Sequence, residues 1–121
     1  MDFETLSRWA DEELKSLTGV LPEEVRTAAQ NVPVSLERKP GDGPFDDELM
    51  GDELGLFEGP TAAEEADPGD LPRIRLFLDN LWEWVEEDEQ DFRDEVGTTF
   101  LHELGHYLGW DEDEVAERGL E

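Results

Sequence analysis

The strongest constraint on the fold is a run of apolar residues that recur at every fourth position near the end of the 121-residue chain. The run consists of Phe92, Val96, Phe100, Leu104 and Leu108. This spacing aligns side chains along one face of an α-helix, and the glycine at position 109 is suited to ending that helix. The sequence therefore predicts a helix over 91–108 that packs its apolar face on the rest of the chain.

Two helices are predicted near the N-terminus. Apolar residues at helical spacing predict a helix over 2–17, with Asp2 as its N-cap and Gly19 as its stop. A second helix is expected from Pro22, a residue suited to the first helical position, to about Gln30. A further short helix is expected over 113–120.

Three strands are predicted: apolar residues on one face indicate strands at 32–36 and 73–78, and a short apolar segment closed by a Gly-Pro turn indicates one at 54–60. Pro33 lacks a backbone donor, so the first strand is expected at an edge of the sheet. Segments 39–53 and 61–72, rich in glycine, proline and acidic residues, are expected to be loops. The apolar cluster over 81–85 either caps the core or begins a helix, and its spacing does not decide between the two.

Composition limits the possible partners. Nine basic residues against 35 acidic ones give a formal net charge of −26, which argues against binding nucleic acid or anionic lipid and favours cationic partners. There is no cysteine, so neither a disulfide nor a thiolate metal site is possible. Neither a signal peptide nor a membrane span is evident, and a cytoplasmic protein with a single domain over 1–121 is expected.

A metal-binding motif lies within the predicted C-terminal helix. The only two histidines of the chain occur in the segment His102-Glu103-Leu104-Gly105-His106. Histidines four positions apart lie on one helical face, so both rings can reach one metal ion. Glu103 cannot easily share the same tetrahedral shell, but it can accept a proton from water activated by the metal. The motif predicts a Zn²⁺ site with His102 and His106 as ligands and Glu103 as general base; the alternative is two unrelated surface histidines.

A third zinc ligand is expected after Gly109, where the chain can turn back toward the metal. Asp111, Glu112 and Asp113 are the candidate oxygen ligands. The alternative is that these acids simply begin the last helix, where the macrodipole favours negative charge. Residue type alone does not choose among the three.

The segment 102–112 resembles the extended zincin pattern H-E-x-x-H-x-x-G-x-x-[H/D/E], whose last position is the third ligand. By that register Glu112 matches, with Asp111 the less certain alternative. From about Phe3 to Leu120 the chain resembles the minimal zincin-like metallopeptidases, a family of small acidic bacterial proteins. Outside the motif, the resemblance rests on 54–60, on the strand 74–78, and on 92–96 leading through Thr99 into the motif.

The resemblance implies a minimal zincin-like α+β fold with N-terminal helices, a small mixed sheet of about three to four strands and a metal-binding helix near the C-terminus. It also implies zinc-dependent hydrolysis of peptide bonds in a peptide or protein substrate. The negative charge would favour basic peptides. One alternative is a non-catalytic binding module with a structural or vestigial metal; another is an acidic protein that mimics polyanions.

No oxyanion donor can be assigned from the sequence. Tyr107 lies about 100° around the helix from His106, so it is expected to pack in the core. Arg73 and Arg75 lie on the outward face of the third strand, where ion pairing with the many carboxylates is their other possible role.

Overall fold

The computed structural model describes residues 1–40, 51–61 and 71–109, and within these ranges the fold is α+β, as the resemblance implied. In chain order the elements are α1 (Phe3–Val20), α2 (Glu23–Asn31), β1 (Val34–Glu37), β2 (Gly55–Glu58), β3 (Arg73–Phe77), α3 (Leu78–Trp84) and α4 (Glu89–Tyr107). The helix predicted over 113–120 lies outside the described residues.

The N-terminal helices follow the predicted pattern with two corrections. The Asp2 carboxylate accepts a hydrogen bond from the Thr5 backbone N–H at 2.7 Å, so Asp2 is the N-cap of α1, as predicted. Gly19 does not stop α1, which continues through it to Val20. Pro22 precedes α2 as its N-cap rather than starting it, because its backbone is extended, with ψ 150°.

The three strands form one mixed sheet in the order β1-β3-β2. β1 runs parallel to the central strand β3, and β2 runs antiparallel to it. Among the described residues β1 is therefore an edge strand, as the position of Pro33 predicted. The strand begins at Val34, and the Pro33 carbonyl still contributes by accepting a hydrogen bond from the Ile74 N–H at 3.0 Å.

The two faces of the sheet have opposite chemistry. Ile74 and Leu76 of β3 are fully buried in the main apolar core. Arg75 points to the other face because side chains alternate along a strand. There its guanidinium donates to both carboxylate oxygens of Glu37, at 2.8 and 2.9 Å, and to Glu58 at 3.2 Å. Arg75 thus has the ion-pairing role that was one of its two predicted possibilities.

The chain after β3 is helical. The third strand ends at Phe77, one residue earlier than predicted, and the undecided apolar cluster lies in the second half of α3, with Val85 as its C-cap. Trp82 of this helix packs edge-on against Phe92, with ring centroids 5.8 Å apart, and Trp9 of α1 packs on both rings. These contacts join α1, α3 and the start of α4.

Helix α4 supplies many of the buried residues of the core. It begins after Asp88, whose carboxylate caps the Asp91 N–H at 2.9 Å, two residues earlier than predicted. Of the predicted stripe, Phe92, Val96, Phe100 and Leu104 are each at most 2% exposed, whereas Leu108 is only partly buried and follows the helix as its C-cap. No helix in the described part of the chain is long and apolar enough to cross a membrane.

Candidate metal centre

The buried stripe of α4 determines where the histidines point. Because Phe100 and Leu104 face the core, the neighbouring positions on the helix are turned toward its margin. His102 is partly buried there, and the His106 side chain is 50% exposed. The two rings lie 4.8 Å apart between centroids and are tilted by 53°. The structure thus brings together the two histidines that the motif paired.

Glu103 lies beside them and is almost buried, with 8% of its surface exposed. Its Oε1 is 3.9 Å from His106 Nδ1, which is too long for a hydrogen bond. Within the described residues no group donates a hydrogen bond to this carboxylate. The predicted general base is therefore available for another proton donor or cation.

The three side chains form a group that can hold a metal ion. One potential ligand atom from each lies within 4.8 Å of the other two. Tetrahedral zinc with nitrogen ligands has donor atoms about 3.3 Å apart, so the side chains would move closer together on binding the metal. Imidazole nitrogen and carboxylate oxygen are also the donors zinc accepts. The residues present therefore fit a divalent metal of this kind.

A cavity of about 300 Å³ lies next to the cluster, between the start of β2 and α4. Its lining consists of Glu53, Leu54, Gly55, Glu95, Thr98, Thr99, His102 and Glu103. Beside the cavity β2 and α4 lie so close together that a Cβ added to Gly55 would be only 2.7 Å from Thr99 Cγ2. Glycine at position 55 therefore allows the close packing of β2 on α4.

Asn80 of α3 holds the segment that leads into β2. Its buried side-chain amide donates to the Gly51 carbonyl at 2.9 Å and to the Glu53 carbonyl at 2.8 Å. The Leu54 carbonyl in turn accepts from the Phe77 N–H at 3.0 Å. These bonds fix the backbone of one cavity wall relative to the sheet.

β2 presents part of its backbone away from the sheet. Because Leu54 bonds directly to Phe77, the antiparallel pattern directs the backbone groups of Leu56 and Glu58 toward β3 as well. Those of Gly55 and Phe57 then face the outer edge, on which no other strand pairs within the described residues. This edge runs past the cavity.

The remaining predicted site residues lie away from the cavity or outside the described residues. Tyr107 packs its ring on Phe57, with centroids 5.9 Å apart, in agreement with its expected packing role. Arg73 pairs with Glu58 at 2.9 Å on the sheet face opposite α4. The third-ligand candidates Asp111, Glu112 and Asp113 lie outside the described residues.

Several cavity residues were not anticipated from the sequence. Glu95 and Thr99 precede the predicted ligand His102 by seven and three positions, so a helical projection could have placed them on its face of α4. Glu53 carries no such signal, and neither does Asn80, which holds the backbone of Glu53 from α3, because their positions depend on how α3 and β2 pack.

Fold and motif together define a helix-borne candidate metal centre beside an edge strand. Residues 29–120 match the family of zincin-like metallopeptidases, and the chain belongs to that family. Membership implies a metal, and the matched range also covers the acidic positions after Gly109. A search of curated proteins finds no match for the chain.

Proposed function

We propose that this protein is a zinc-dependent metallopeptidase in which His102 and His106 hold the metal and Glu103 is the general base. The observation that carries this proposal is the clustering of the three side chains within 4.8 Å, beside a cavity that opens on an edge strand. Membership of the zincin-like family supports it.

Zinc bound at such a site supplies a Lewis acid that polarises a carbonyl oxygen and lowers the pKa of a coordinated water. We assign the third ligand to Glu112, with Asp111 as the first alternative and Asp113 as the second. The assignment follows the register of the motif after Gly109.

Glu103 accepts a proton at its carboxylate from the attacking water and delivers it to the amine that leaves. Two features support this role. The side chain is almost buried beside His102 and His106, and no described residue occupies its oxygens with a hydrogen bond. Near-burial also limits the positions that the carboxylate can adopt.

A peptide substrate binds in extended form along β2. The outward N–H and C=O groups of Gly55 and Phe57 would pair with its backbone, as in other cases of strand addition. This places the peptide across the cavity mouth and next to His102. The net charge of −26 attracts basic peptides to the surface.

The proposal is tested by loading chelator-treated protein with zinc, measuring the bound metal, and assaying cleavage of a mixed peptide library. Glu103→Gln should retain zinc and lose about 10²-fold or more in turnover, because only the base is removed. Glu4→Gln, an exposed position on α1, is the matched control and should match the unmodified protein in both measurements.

Ligand variants complete the test. His106→Ala and Glu112→Gln should each lower zinc affinity, whereas Asp111→Asn and Asp113→Asn should not. Zinc binding with no cleavage of any peptide would instead favour the non-catalytic binding module. Absence of stoichiometric zinc in the unmodified protein would contradict the metal centre itself.

A further inference from the structure

We propose that a second cavity, enclosed by α1, α2, β1 and α4, binds a medium-chain carboxylic acid as its anion, with the alkyl chain inside the cavity and the carboxylate on Arg26. The cavity has a volume of about 410 Å³, which exceeds the 300 Å³ of the cavity at the candidate metal centre. Sites for small molecules commonly have volumes of about 300–1,000 Å³. This inference does not depend on the proposed function.

The second cavity is separate from the candidate metal centre. Phe100 is the only residue of α4 in its described lining. His102 lies two positions further along α4, so the two side chains point in directions about 160° apart around the helix axis. None of the described residues lines both cavities. A ligand in the second cavity therefore leaves the metal ligands free.

Apolar side chains form most of the cavity wall. Phe100 belongs to the main core and is 2% exposed, and Leu14, Ala29 and Val34 are partly buried against the same core. The wall is open at Gly19, where an added Cβ would meet nothing within 4 Å. Such a surface suits an alkyl chain, because each buried methylene group strengthens binding about three- to fourfold.

Arg26 is the polar group of the lining that remains available to a ligand. The Thr18 hydroxyl donates to the Leu14 carbonyl at 2.7 Å, and Lys15 Nζ pairs with Asp11 at 2.9 Å. Arg26 is partly buried, and its guanidinium makes no ion pair or hydrogen bond with any described residue. The planar guanidinium can donate two parallel hydrogen bonds to one carboxylate. A carboxylate is therefore the end group that fits.

The charge of this lining is opposite to that of the chain. The whole sequence has 35 acidic and nine basic residues. The described lining instead contains two basic side chains, Lys15 and Arg26, and no acidic one. Because salt screens exposed charges beyond about 8 Å under physiological conditions, these local cations outweigh the distant acidic surface. The cavity should therefore prefer an anionic end group over a neutral or cationic one.

The test titrates the full-length protein by calorimetry with four amphipathic compounds: hexanoate, octanoate, octanol and octylamine. Octanoate should bind about tenfold tighter than octanol, as expected for charge-assisted hydrogen bonds, and octylamine should bind weakest. Octanoate is a pair of methylene groups longer than hexanoate and should bind about tenfold tighter. Equal affinity for octanoate and octanol would overturn the site.

A carboxylate can also ligate zinc, so the octanoate titration is repeated on zinc-loaded and on chelator-treated protein. The two affinities should agree, because the described linings of the two cavities share no residue. Binding that disappears when zinc is removed would assign octanoate to the metal centre and refute the second site.

Charge variants test the role of Arg26. Arg26→Gln should weaken octanoate binding about tenfold and leave octanol unchanged, and Arg26→Lys should retain part of the preference for octanoate. Arg8→Gln is the matched control, because it removes the same charge from an exposed position on α1, about two turns before Lys15. An equal loss in the two glutamine variants would show that Arg26 does not bind the carboxylate.

A filled cavity tests the binding of the alkyl chain. Gly19→Leu extends a side chain into the open space at Gly19 and should weaken octanoate and octanol alike. The variant should stay folded, as checked by circular dichroism, because leucine favours a helix more than glycine does. Val20→Leu, at a residue that is 78% exposed and outside the described lining, should leave binding unchanged.

Unchanged octanoate binding in Gly19→Leu would refute the second cavity as its site. A second copy of the chain is the other candidate occupant of this apolar surface. Gel filtration distinguishes the two: a dimer that Gly19→Leu dissociates, together with no binding of octanoate, would overturn the ligand site and assign the surface to contact between copies.

Discussion

Replacing Gly55 with alanine should destabilise the protein at the contact between β2 and α4. The new Cβ would lie 2.7 Å from Thr99 Cγ2 and 3.2 Å from both the Arg75 carbonyl oxygen and Leu76 Cδ2. Carbon atoms in favourable contact are about 3.5–4.0 Å apart, so the overlap with Thr99 approaches 1 Å. Thr99 is β-branched and cannot yield without rotating its hydroxyl away from Glu95.

Overpacking of this kind costs about 1–3 kcal/mol. Loss of glycine flexibility in the unfolded chain offsets it by about 0.4–1 kcal/mol. We therefore expect a net loss of about 1–2 kcal/mol in the free energy of unfolding. For a domain of this size that corresponds to a fall in Tm of roughly 4–8 °C.

Urea denaturation of four proteins measures the effect: the unmodified chain, Gly55→Ala, Thr99→Ser and the double variant. Thr99→Ser removes the methyl group that meets the new Cβ, so the double variant should recover about 1 kcal/mol relative to additivity. Recovery will be partial, because the contacts with the Arg75 carbonyl and Leu76 remain.

Gly97→Ala is the matched control. A Cβ at Gly97 would meet Leu17 Cδ2 at 3.6 Å, an ordinary contact, in the interior of α4. Alanine is favoured over glycine in a helix by about 0.5–1 kcal/mol, so this variant should be more stable than the unmodified chain. Equal effects of the two glycine substitutions, or additive energies at positions 55 and 99, would refute the close packing inferred for β2.

Two further predictions concern the polar groups that support the sheet and the cavity wall. Hydrogen bonds from Arg75 hold the pKa of Glu37 below its ordinary value of 4.5, so its stabilisation is present above that pH and is lost as pH falls further. The stability difference between the unmodified chain and Glu37→Gln, measured by urea denaturation from pH 7 to pH 3, should therefore shrink below pH 4.5. A difference that stays constant over this range would show that the ionised Glu37 carboxylate is not stabilised by Arg75. Asn80→Asp replaces an amide donor with a carboxylate that faces the Gly51 and Glu53 carbonyls. This change should lower the free energy of unfolding by about 2–4 kcal/mol. A loss below about 1 kcal/mol in the same assay would show that the amide does not anchor this segment.

The sequence was sufficient to predict the metal-binding helix and its motif, because both depend on local spacing. Apolar residues at every fourth position specified the buried stripe of α4, and histidines four apart on that helix share a face in any structure that preserves it. The Asp2 cap and the edge position of the strand after Pro33 were predictable for the same reason. Each depends on the chemistry of one or two neighbouring residues.

Only the tertiary structure determined what surrounds the motif. Glu53 and Glu95 are 42 positions apart in sequence, and they share a cavity because β2 packs against α4 through Gly55. The antiparallel pairing of β2 with β3, and therefore the outward direction of its Gly55 and Phe57 backbone groups, depends on the same packing. Local patterns specify which face of an element is apolar, but the position of one element on another depends on side-chain contacts between distant parts of the chain.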